Sequence, residues 1–396
     1  MSYKPLANNP DISMSPLSVQ NLRPSYIREV ANAGMDNKDI VAFWFGESNC
    51  TTPINITDRA ISAIASGETF YTQNLGLPSL RYELSNYVTR LHGPSGIENI
   101  AVTSAGVSAI MLAAQSVLEK GDRVVALVPL WPNIVEIPKI LGCQVETVSL
   151  GFNEGKWKLD LDTLLSTLTP GVKAVLINSP NNPTGWTMSR DEQISLLEHC
   201  RLNNIWILSD EVYERLYFGT EGLASPSFLD IADRNEQVIC INSFSKSWLM
   251  TGWRLGWITA PKEIVKNLEK LIEYNTSCTP AFIQLAGIEA LKHGEEELAK
   301  FRLQLKESRD YLATELTSIL DTPIASPPGA MYLFFPFPGN GDSLNYCKQL
   351  VSESGLGLAP GIAFGAEADK YLRWCYACEQ TKLEEGLSRF RKFLNR

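Results

Sequence analysis

The stretch "QVICINSFSKSWLMTGWRLG" (Gln237–Gly256) joins an apolar run to a lysine that stands among serines. A continuous run of this kind, rich in valine and isoleucine, is typical of a strand that is buried on both faces, as in a parallel sheet. A lysine so close to a buried strand is unfavourable, because its ammonium group loses water. The stretch therefore predicts a parallel sheet and indicates that Lys246 has a chemical role.

Three more stretches share this continuous apolar pattern, and helical patterns lie between some of them. They are "RVVALVP" (Arg123–Pro129), "KAVLINSP" (Lys173–Pro180) and "NIWILSD" (Asn204–Asp210). One intervening helix is predicted over Ser189–Asn203, with Ser189 as its N-cap. Alternation of strands and helices predicts an α/β protein with a mostly parallel sheet covered by helices.

The pattern changes after about residue 295. Leu305, Leu312 and Leu316 repeat at helical spacing and predict a long helix, and Leu383, Leu387 and Phe390 do the same near the C-terminus. Short strands lie between these helices. We therefore expect a large domain over residues 46–299 and a smaller α+β domain built from residues 1–45 and 300–396.

Composition limits the class of partner. The 396 residues are 44% apolar and 20% charged, as in an ordinary globular protein. The net charge of -9 argues against a nucleic acid or an anionic membrane as the main partner. No signal-peptide pattern opens the chain, and no apolar run approaches the roughly 18 residues of a membrane span. Eight scattered cysteines indicate reduced thiols and a cytoplasmic protein.

Polar residues of definite chemistry follow three of the predicted strands. Asn182 comes after the second run, Asp210 and Tyr213 after the third, and Ser243, Ser245 and Lys246 after the fourth. In parallel α/β sheets, ligands bind in the crevice at the carboxyl ends of the strands. We therefore expect these side chains to meet in one crevice.

This set of side chains has the chemistry of a pyridoxal 5'-phosphate site. A lysine in a partly dry pocket has a lowered pKa, so its neutral amine attacks carbonyls. An aspartate facing a pyridine nitrogen keeps that nitrogen protonated, while Tyr213 and Asn182 can hydrogen-bond the phenolic oxygen of the same ring. Two serines, Arg254 and a helix N-terminus can hold a phosphate. A lysine with a pyridinium partner is the expected signature of this cofactor.

The chain resembles the class I/II aminotransferases, which are fold-type I pyridoxal-phosphate enzymes. The resemblance rests on SxSK with Arg254 eight residues beyond Lys246, together with SPxNPTG and DEVY in the right order. The matching stretches are "FGESNCTTP" (45–53), "YTQNLGLPSLR" (71–81), "VTSAGVSAIMLA" (102–113), "PLWP" (129–132), "SPNNPTG" (179–185), "SDEVYE" (209–214), "SFSKSWLMTGWRLG" (243–256), "PGIAFG" (360–365) and "LRWCYA" (372–377).

The resemblance implies catalytic roles for three residues. Lys246 resembles the Schiff-base lysine that also moves the substrate proton, and Asp210 matches the partner of the pyridinium nitrogen. Tyr213, together with Asn182, matches the donors to the phenolic oxygen of the ring.

The resemblance also implies binding residues beyond those three. Ser243, Ser245 and Arg254 match phosphate ligands, and the loop Ala105–Gly106–Val107 offers backbone N–H groups to the same phosphate, although the family often has glycine where Ala105 stands. Trp131 matches a ring that stacks on the cofactor, and Tyr71 matches a tyrosine that reaches the phosphate in the neighbouring subunit. A homodimer is therefore expected. Arg373 matches the arginine that binds the substrate α-carboxylate, helped by the backbone of Gly46 and by Asn182.

We therefore expect an aminotransferase that moves an amino group from an L-amino acid to a 2-oxo acid by a ping-pong mechanism. An oxygen-using amino-acid oxidase and a carbon–sulfur β-lyase on the same cofactor remain alternatives, although Asn181 stands where many lyases carry histidine. The histidines fall in no motif, so the sequence indicates neither a histidine triad nor a metal site. Residues 107–118 contain no lysine or arginine, which disfavours specialisation for aspartate or prephenate, and Trp44 is a candidate for the side-chain pocket.

Overall fold

The structure is a computed structural model that describes residues 15–219, 222–339 and 341–396. The strands are β1 (Val41–Ala42), β2 (Ile100–Thr103), β3 (Arg123–Val128), β4 (Gln144–Ser149), β5 (Gly151–Asn153), β6 (Lys156–Lys158), β7 (Val172–Asn178), β8 (Trp206–Asp210), β9 (Val238–Ser243), β10 (Gly256–Thr259), β11 (Tyr332–Pro336), β12 (Leu356–Gly357), β13 (Ala359–Pro360) and β14 (Tyr371–Cys375).

Helices connect these strands and cover them. The α-helices are α1 (Leu17–Gln20), α2 (Tyr26–Asn32), α3 (Ile54–Ala65), α4 (Pro78–His92), α5 (Gly106–Val117), α6 (Pro132–Ile140), α7 (Leu161–Thr167), α8 (Arg190–Asn203), α9 (Phe244–Ser247), α10 (Lys262–Glu273), α11 (Ala281–His293), α12 (Glu295–Leu320), α13 (Ser343–Gln349) and α14 (Gln380–Leu394). The Ser189 cap of α8 is confirmed, because its hydroxyl accepts from the Glu192 N–H while the Glu192 carboxylate accepts from the Ser189 N–H.

A seven-stranded sheet forms the centre of the molecule, in the order β2-β10-β9-β8-β7-β3-β4. The four predicted strands are present as β3, β7, β8 and β9, and their pairings are parallel. Strand β10 is antiparallel to both of its neighbours, β2 and β9. The prediction of a mostly parallel α/β sheet covered by helices is therefore confirmed.

Successive side chains along the central strands pack into two separate cores. Val124 and Ala126 of β3 belong to a cluster with residues of α5 and α10, whereas Val125 and Leu127 belong to a cluster with residues of α3, α4, α8 and α11. Side chains alternate between the faces of a strand, so helices must cover both faces of this sheet. This explains why its strands are continuously apolar.

A third core joins the two ends of the chain. A sheet of order β11-β14-β13 packs with α12 and α14, and the same cluster contains Ile27, Val30, Phe43 and Trp44 from the N-terminal part. Of the predicted small domain, residues 1–14 lie outside the described residues. The boundaries at 46–299 and 300–396 stay a prediction, because α12 runs across residue 300.

Two kinds of feature are absent from the residues that the structure describes. None of their helices combines the length and apolarity that crossing a membrane requires. Likewise, nowhere in these ranges do three or more histidine, cysteine, aspartate or glutamate residues group together as a candidate metal site.

Candidate active site

A cavity of about 430 Å³ lies at the carboxyl ends of the central strands. Because β7, β8 and β9 are parallel, the residues that follow them meet at one edge of the sheet, and Asn178 pairs in register with Asp210. The lining residues predicted from the sequence are Gly46, Gly106, Val107, Trp131, Asn182, Asp210, Tyr213, Ser243, Ser245, Lys246, Arg254 and Arg373.

Lys246 stands on the short helix α9, which follows β9 directly. Its Nζ donates to the carbonyl oxygen of Gly46 at 2.6 Å. Burial lowers the pKa of Lys246 to about 8, and the positive charge of Arg373 acts in the same direction. A substantial neutral fraction is therefore available near neutral pH, as a nucleophilic amine requires.

Asp210 is the last residue of β8 and is only 4% exposed. One carboxylate oxygen accepts from the backbone N–H of Val212 at 3.3 Å, and none of the described residues forms an ion pair with it. Burial raises the pKa of Asp210 to about 7. The charged form of Asp210 therefore has no ion-pair partner among the described residues, although the positive charge of Lys246 favours it from a distance. A protonated ring nitrogen in the cavity fits this position.

Two asparagines link the end of β8 to Arg373 on β14. Asn178 donates to the carbonyl oxygen of Asp210 at 3.0 Å and accepts from the backbone N–H of Asn182 at 2.7 Å. The side-chain oxygen of Asn182 accepts from Nη1 of Arg373 at 3.0 Å. Asn178 was not predicted, although its position opposite Asp210 in neighbouring strands could have indicated it.

Tyr213 contacts a second tyrosine that the sequence did not reveal. The hydroxyl groups of Tyr213 and Tyr332 lie 2.6 Å apart, and their rings are nearly perpendicular. Burial, followed by the neighbouring hydroxyl, raises the pKa of Tyr213 well above its usual value. Tyr213 is therefore a neutral hydrogen-bond donor. Tyr332 comes from β11 and shared no recognised motif.

An anion-binding cradle is built where α5 begins. Helix α5 starts at Gly106, so its first N–H groups have no partner within the helix. Gly256 of β10 allows the approach, because a Cβ there would lie 2.9 Å from Gly106 N. Ala105 has φ 109°, a region that favours glycine, and lies outside the cavity lining. The alanine thus carries backbone strain of about 1–3 kcal/mol.

Hydroxyl groups and a guanidinium complete the cradle. The Ser243 hydroxyl lies 2.9 Å from the Ser245 hydroxyl and 3.1 Å from the Ser245 backbone nitrogen. The Arg254 side chain also lines the cavity. A helix N-terminus, two hydroxyl groups and an arginine together form a site suited to a phosphate.

Arg373 is a cation that is 2% exposed, on β14. Its Nη2 donates to the Trp44 carbonyl, its guanidinium lies 4.6 Å from the Tyr332 ring centroid, and its buried Nε has no partner among the described residues. None of those residues supplies a carboxylate to it. A buried guanidinium without a counterion is costly, so a carboxylate ligand fits this position.

Tyr71 is the one predicted side chain that lies far outside the cavity of its own chain. It is 90% exposed and lines a separate depression together with Phe70.

The residues present fit pyridoxal 5'-phosphate. A neutral-prone amine, a buried carboxylate without a counterion and an anion cradle correspond to its aldehyde, its ring nitrogen and its phosphate. The site therefore has a partner for each polar end of the cofactor.

Comparisons with known proteins agree with this chemistry. The family model for aminotransferases of class I and II matches residues 42–390. An aspartate aminotransferase from Pyrococcus horikoshii is 32% identical, over 94% of this chain and 95% of that one. A probable N-acetyl-LL-diaminopimelate aminotransferase from Bacillus subtilis is 32% identical over 93% of each chain.

A solved structure extends the likeness to the fold. An aspartate aminotransferase from Thermotoga maritima superimposes with a TM-score of 0.88 at 28% identity, covering 96% of this chain and 100% of that one. The chain therefore belongs to the class I and II aminotransferases, the enzymes that use pyridoxal 5'-phosphate to transfer an amino group.

Proposed function

We propose that the enzyme moves an amino group from an L-amino acid to a 2-oxo acid in two half-reactions of a ping-pong mechanism. The observation that carries this is the meeting, in one cavity, of the Lys246 amine, the Asp210 carboxylate and the Arg373 guanidinium, which has no carboxylate partner among the described residues. When bound, pyridoxal phosphate supplies an electron-withdrawing ring that weakens the bonds to the substrate α-carbon.

Lys246 is proposed to hold the cofactor covalently and to move the substrate proton. Burial keeps a useful fraction of its Nζ neutral near pH 7, because its pKa is lowered to about 8. A base poised near the working pH is the most effective one. The Lys246 Nζ would take the proton from the substrate α-carbon. It would return the proton to the cofactor carbon that is bonded to the amino nitrogen.

Three side chains are proposed to orient the ring of the cofactor. Asp210 would hold a proton on the ring nitrogen, because the resulting ion pair supplies the counterion that this buried carboxylate lacks. Tyr213 would donate to the phenolic oxygen. Asn182 would donate to the same oxygen through its Nδ2, since its Oδ1 is already engaged by Arg373.

The phosphate is proposed to bind in the cradle at the start of α5. Gly106 and Val107 would offer backbone N–H groups, with Ala105 holding the turn. Ser243, Ser245 and Arg254 would add hydroxyl groups and a positive charge. Trp131 lines the same cavity, so its indole is available to stack on the ring.

Arg373 is proposed to bind the substrate α-carboxylate in a two-pronged contact, beside the backbone of Gly46. Holding the carboxylate fixes the α-carbon next to the Lys246 amine, which lowers the entropic part of the barrier. The contact between the Lys246 Nζ and the Gly46 carbonyl oxygen, at 2.6 Å, supports this arrangement.

The side-chain end of the cavity favours acidic and aromatic substrates. Ile27, Phe45 and Ile110 line it, and so does Arg28, whose guanidinium lies 4.7 Å from the Phe45 ring centroid. Among the described residues no carboxylate pairs with Arg28. The absence of basic residues over 107–118 disfavoured acidic substrates, but α2 supplies a cation from a different element. The relative from Pyrococcus horikoshii is named for aspartate.

We propose that the working form is a homodimer in the cytoplasm. Several large apolar side chains are exposed to solvent, and such exposure is typical of a surface that binds another protein. They include Ile54, Phe70, Tyr71 and Tyr274. Tyr71 would reach the phosphate of the partner's cofactor, which explains its distance from its own cavity. Eight free cysteines suit a reducing compartment.

We also propose that the chain forms two domains. The large domain would consist of residues 46–299, and the small domain of residues 1–45 together with residues 300–396.

An anaerobic spectral titration tests the reaction. The purified holoenzyme would be titrated with a panel of amino acids while the visible absorbance of the cofactor is followed. Loss of this absorbance without oxygen, reversed by a 2-oxo acid, is expected. Turnover that occurs only when air is admitted would instead indicate an oxidase, and release of a sulfur product would indicate a lyase.

A mixing experiment tests the homodimer. Lys246→Ala and Tyr71→Ala variants would be unfolded together and refolded as hybrids. Each hybrid holds one site in which both defects fall and one that is intact, so activity should rise above that of either variant alone. Failure to rise, in hybrids shown to form, would refute the shared site.

A further inference from the structure

The segment from Ser209 to Arg215 carries functional groups on both faces of the central sheet. Asp210 and Tyr213 line the cavity, whereas Glu211 and Glu214 lie behind it and are 1% and 3% exposed. A buried carboxylate is unfavourable unless donors surround it. The partners of these two acids therefore show what holds the back of the site.

Glu214 is the centre of this buried cluster. Its Oε1 accepts from the Tyr87 hydroxyl at 2.6 Å. Its Oε2 lies 3.0 Å from Nε2 of His92 and accepts from Nδ2 of Asn242 at 3.0 Å. Tyr87 and His92 belong to α4, and Asn242 belongs to β9, so one carboxylate joins three separate parts of the fold.

His92 completes the cluster from the end of α4. Its Nδ1 lies 2.7 Å from a carboxylate oxygen of Asp230, so both ring nitrogens face carboxylates. Burial alone would lower the pKa of His92, but the hydrogen bonds to Asp230 and Glu214 outweigh it and raise the pKa to about 10. A protonated His92 donates to both acids at once. The other charged groups nearby are Glu211, Arg190 and Arg234.

Asn242 gives the cluster its connection to the cofactor side. It is followed at once by Ser243, and Lys246 stands four residues beyond it. Tyr213 directly precedes Glu214, and consecutive Cα atoms are only about 3.8 Å apart. A shift at Glu214 is therefore transmitted to Tyr213, and a shift of Asn242 is transmitted to the phosphate cradle.

We propose that Glu214, held by His92 and Tyr87, is a positioning residue that fixes the segment bearing Asp210 and Tyr213 against the strand that leads to Lys246. The inference rests on the roles proposed above for Asp210 and Tyr213. Misplacement of such groups by about 1 Å is enough to lower the rate by roughly a hundredfold. At metal sites, removal of an outer partner lowers metal affinity or activity by about 10- to 100-fold, and we expect a loss at the lower end of that range for the cofactor.

The test measures the cofactor, not activity alone. Glu214→Gln keeps the side-chain shape but replaces one of the two oxygens that accept these three hydrogen bonds by an NH2 group, which cannot accept. His92→Gln removes the contact with Asp230. For each variant, the affinity of the apoprotein for pyridoxal phosphate and the pH midpoint of the bound cofactor's visible absorbance would be measured. We expect roughly tenfold weaker binding and a midpoint displaced in the same direction as in Tyr213→Phe.

Two control variants separate positioning from simple loss of stability. Asn99→Ala removes a buried amide that donates to the Ala260 carbonyl at 2.9 Å and accepts from the Gly96 N–H, away from the Ser209–Arg215 segment. His199→Gln is a matched histidine substitution at a residue bonded to the Leu168 carbonyl. Both should lower the melting temperature and leave cofactor affinity and midpoint as in the wild type.

The outcomes distinguish a positioning role of Glu214 from a purely stabilising one. If Glu214→Gln and His92→Gln behave like Asn99→Ala while Tyr213→Phe shifts the midpoint, the positioning role is overturned and the proposed roles in the cavity stand. If Tyr213→Phe and Asp210→Asn leave both cofactor properties unchanged, those roles fail and this inference fails with them. Should Glu214→Gln not fold, Tyr87→Phe removes one donor, keeps the ring, and is judged by the same outcomes.

Discussion

Arg373→Lys is the sharpest single test of how the substrate is held. The native guanidinium donates to Asn182 and to the Trp44 carbonyl, lies against the rings of Tyr332 and Phe364, and keeps Nε without a partner among the described residues. Its buried positive charge therefore favours the binding of a carboxylate. Lysine keeps the charge but loses the planar fork that makes a two-pronged contact possible.

The size of the effect follows from the bonds lost. Hydrogen bonds to charged groups contribute about 1.5–3 kcal/mol each. Lysine would lose one of the two hydrogen bonds to the carboxylate. Because roughly 1.4 kcal/mol corresponds to a factor of ten, this loss gives about a tenfold to hundredfold fall in kcat/KM. Because the carboxylate is bound in ground state and transition state alike, much of this loss should appear in KM.

The assay compares substrates that differ only in the carboxylate. Steady-state kcat/KM would be measured for an amino acid and for the corresponding amine, which lacks the α-carboxylate. The variant should lose activity toward the amino acid and little toward the amine. Arg309→Lys is the matched control, since Arg309 is also buried but donates to the Pro327 carbonyl, away from the cavity.

Two results would refute this reasoning. A loss of less than about threefold with the amino acid would mean that Arg373 does not bind its carboxylate. An equal loss with the amine would mean that the substitution disturbs the cavity as a whole.

Three further predictions concern the cofactor side of the cavity. The apoprotein should combine with pyridoxal phosphate at a rate that rises with pH and levels off above about pH 8. The reason is that the neutral amine reacts, and burial lowers the pKa of Lys246 to about 8. A rate, measured by stopped flow, that still increases at pH 10 would contradict this. Asp210→Asn should lower kcat by roughly 10² to 10⁴, since breaking a buried ion pair costs about 3–5 kcal/mol and about 1.4 kcal/mol is a factor of ten in rate. Unchanged turnover of the loaded enzyme would count against the proposed ion pair. Tyr332→Phe removes a hydroxyl 2.6 Å from that of Tyr213 and should lower the free energy of unfolding by about 1 kcal/mol; an unchanged denaturation midpoint would exclude a stabilising bond.

The central sheet was predictable because its strands are buried on both faces. Strands β3, β7, β8 and β9 read as continuous apolar runs, and their ends carry residues of definite chemistry. The antiparallel direction of β10 was not predictable, because four residues of local pattern do not state which strand they pair with. Strand β4 was missed as well, since it lies at the edge of the sheet and most of its side chains are exposed.

The missed residues are those whose partners are distant in the chain. Tyr332 meets Tyr213 across 119 positions, and His92 meets Glu214 across 122. Sequence patterns report local periodicity and motifs, whereas such pairs exist only after distant parts of the chain have folded together. Residues such as Asp210 and Lys246 were predicted because they stand within a few positions of a recognisable strand. That short spacing already indicates that they lie at the end of the strand.

The close approach of Gly46 to Tyr332 limits the order in which this enzyme can change over evolutionary time. A methyl group at position 46 would collide with the Tyr332 hydroxyl oxygen, while the ring carbon that bears it would still be 3.1 Å away. Gly46→Ala should therefore be deleterious in the present background and less so once Tyr332→Phe has occurred, when the ring needs to shift by only a few tenths of an ångström. The two positions are epistatic, and loss of that hydroxyl eases the route to alanine at 46.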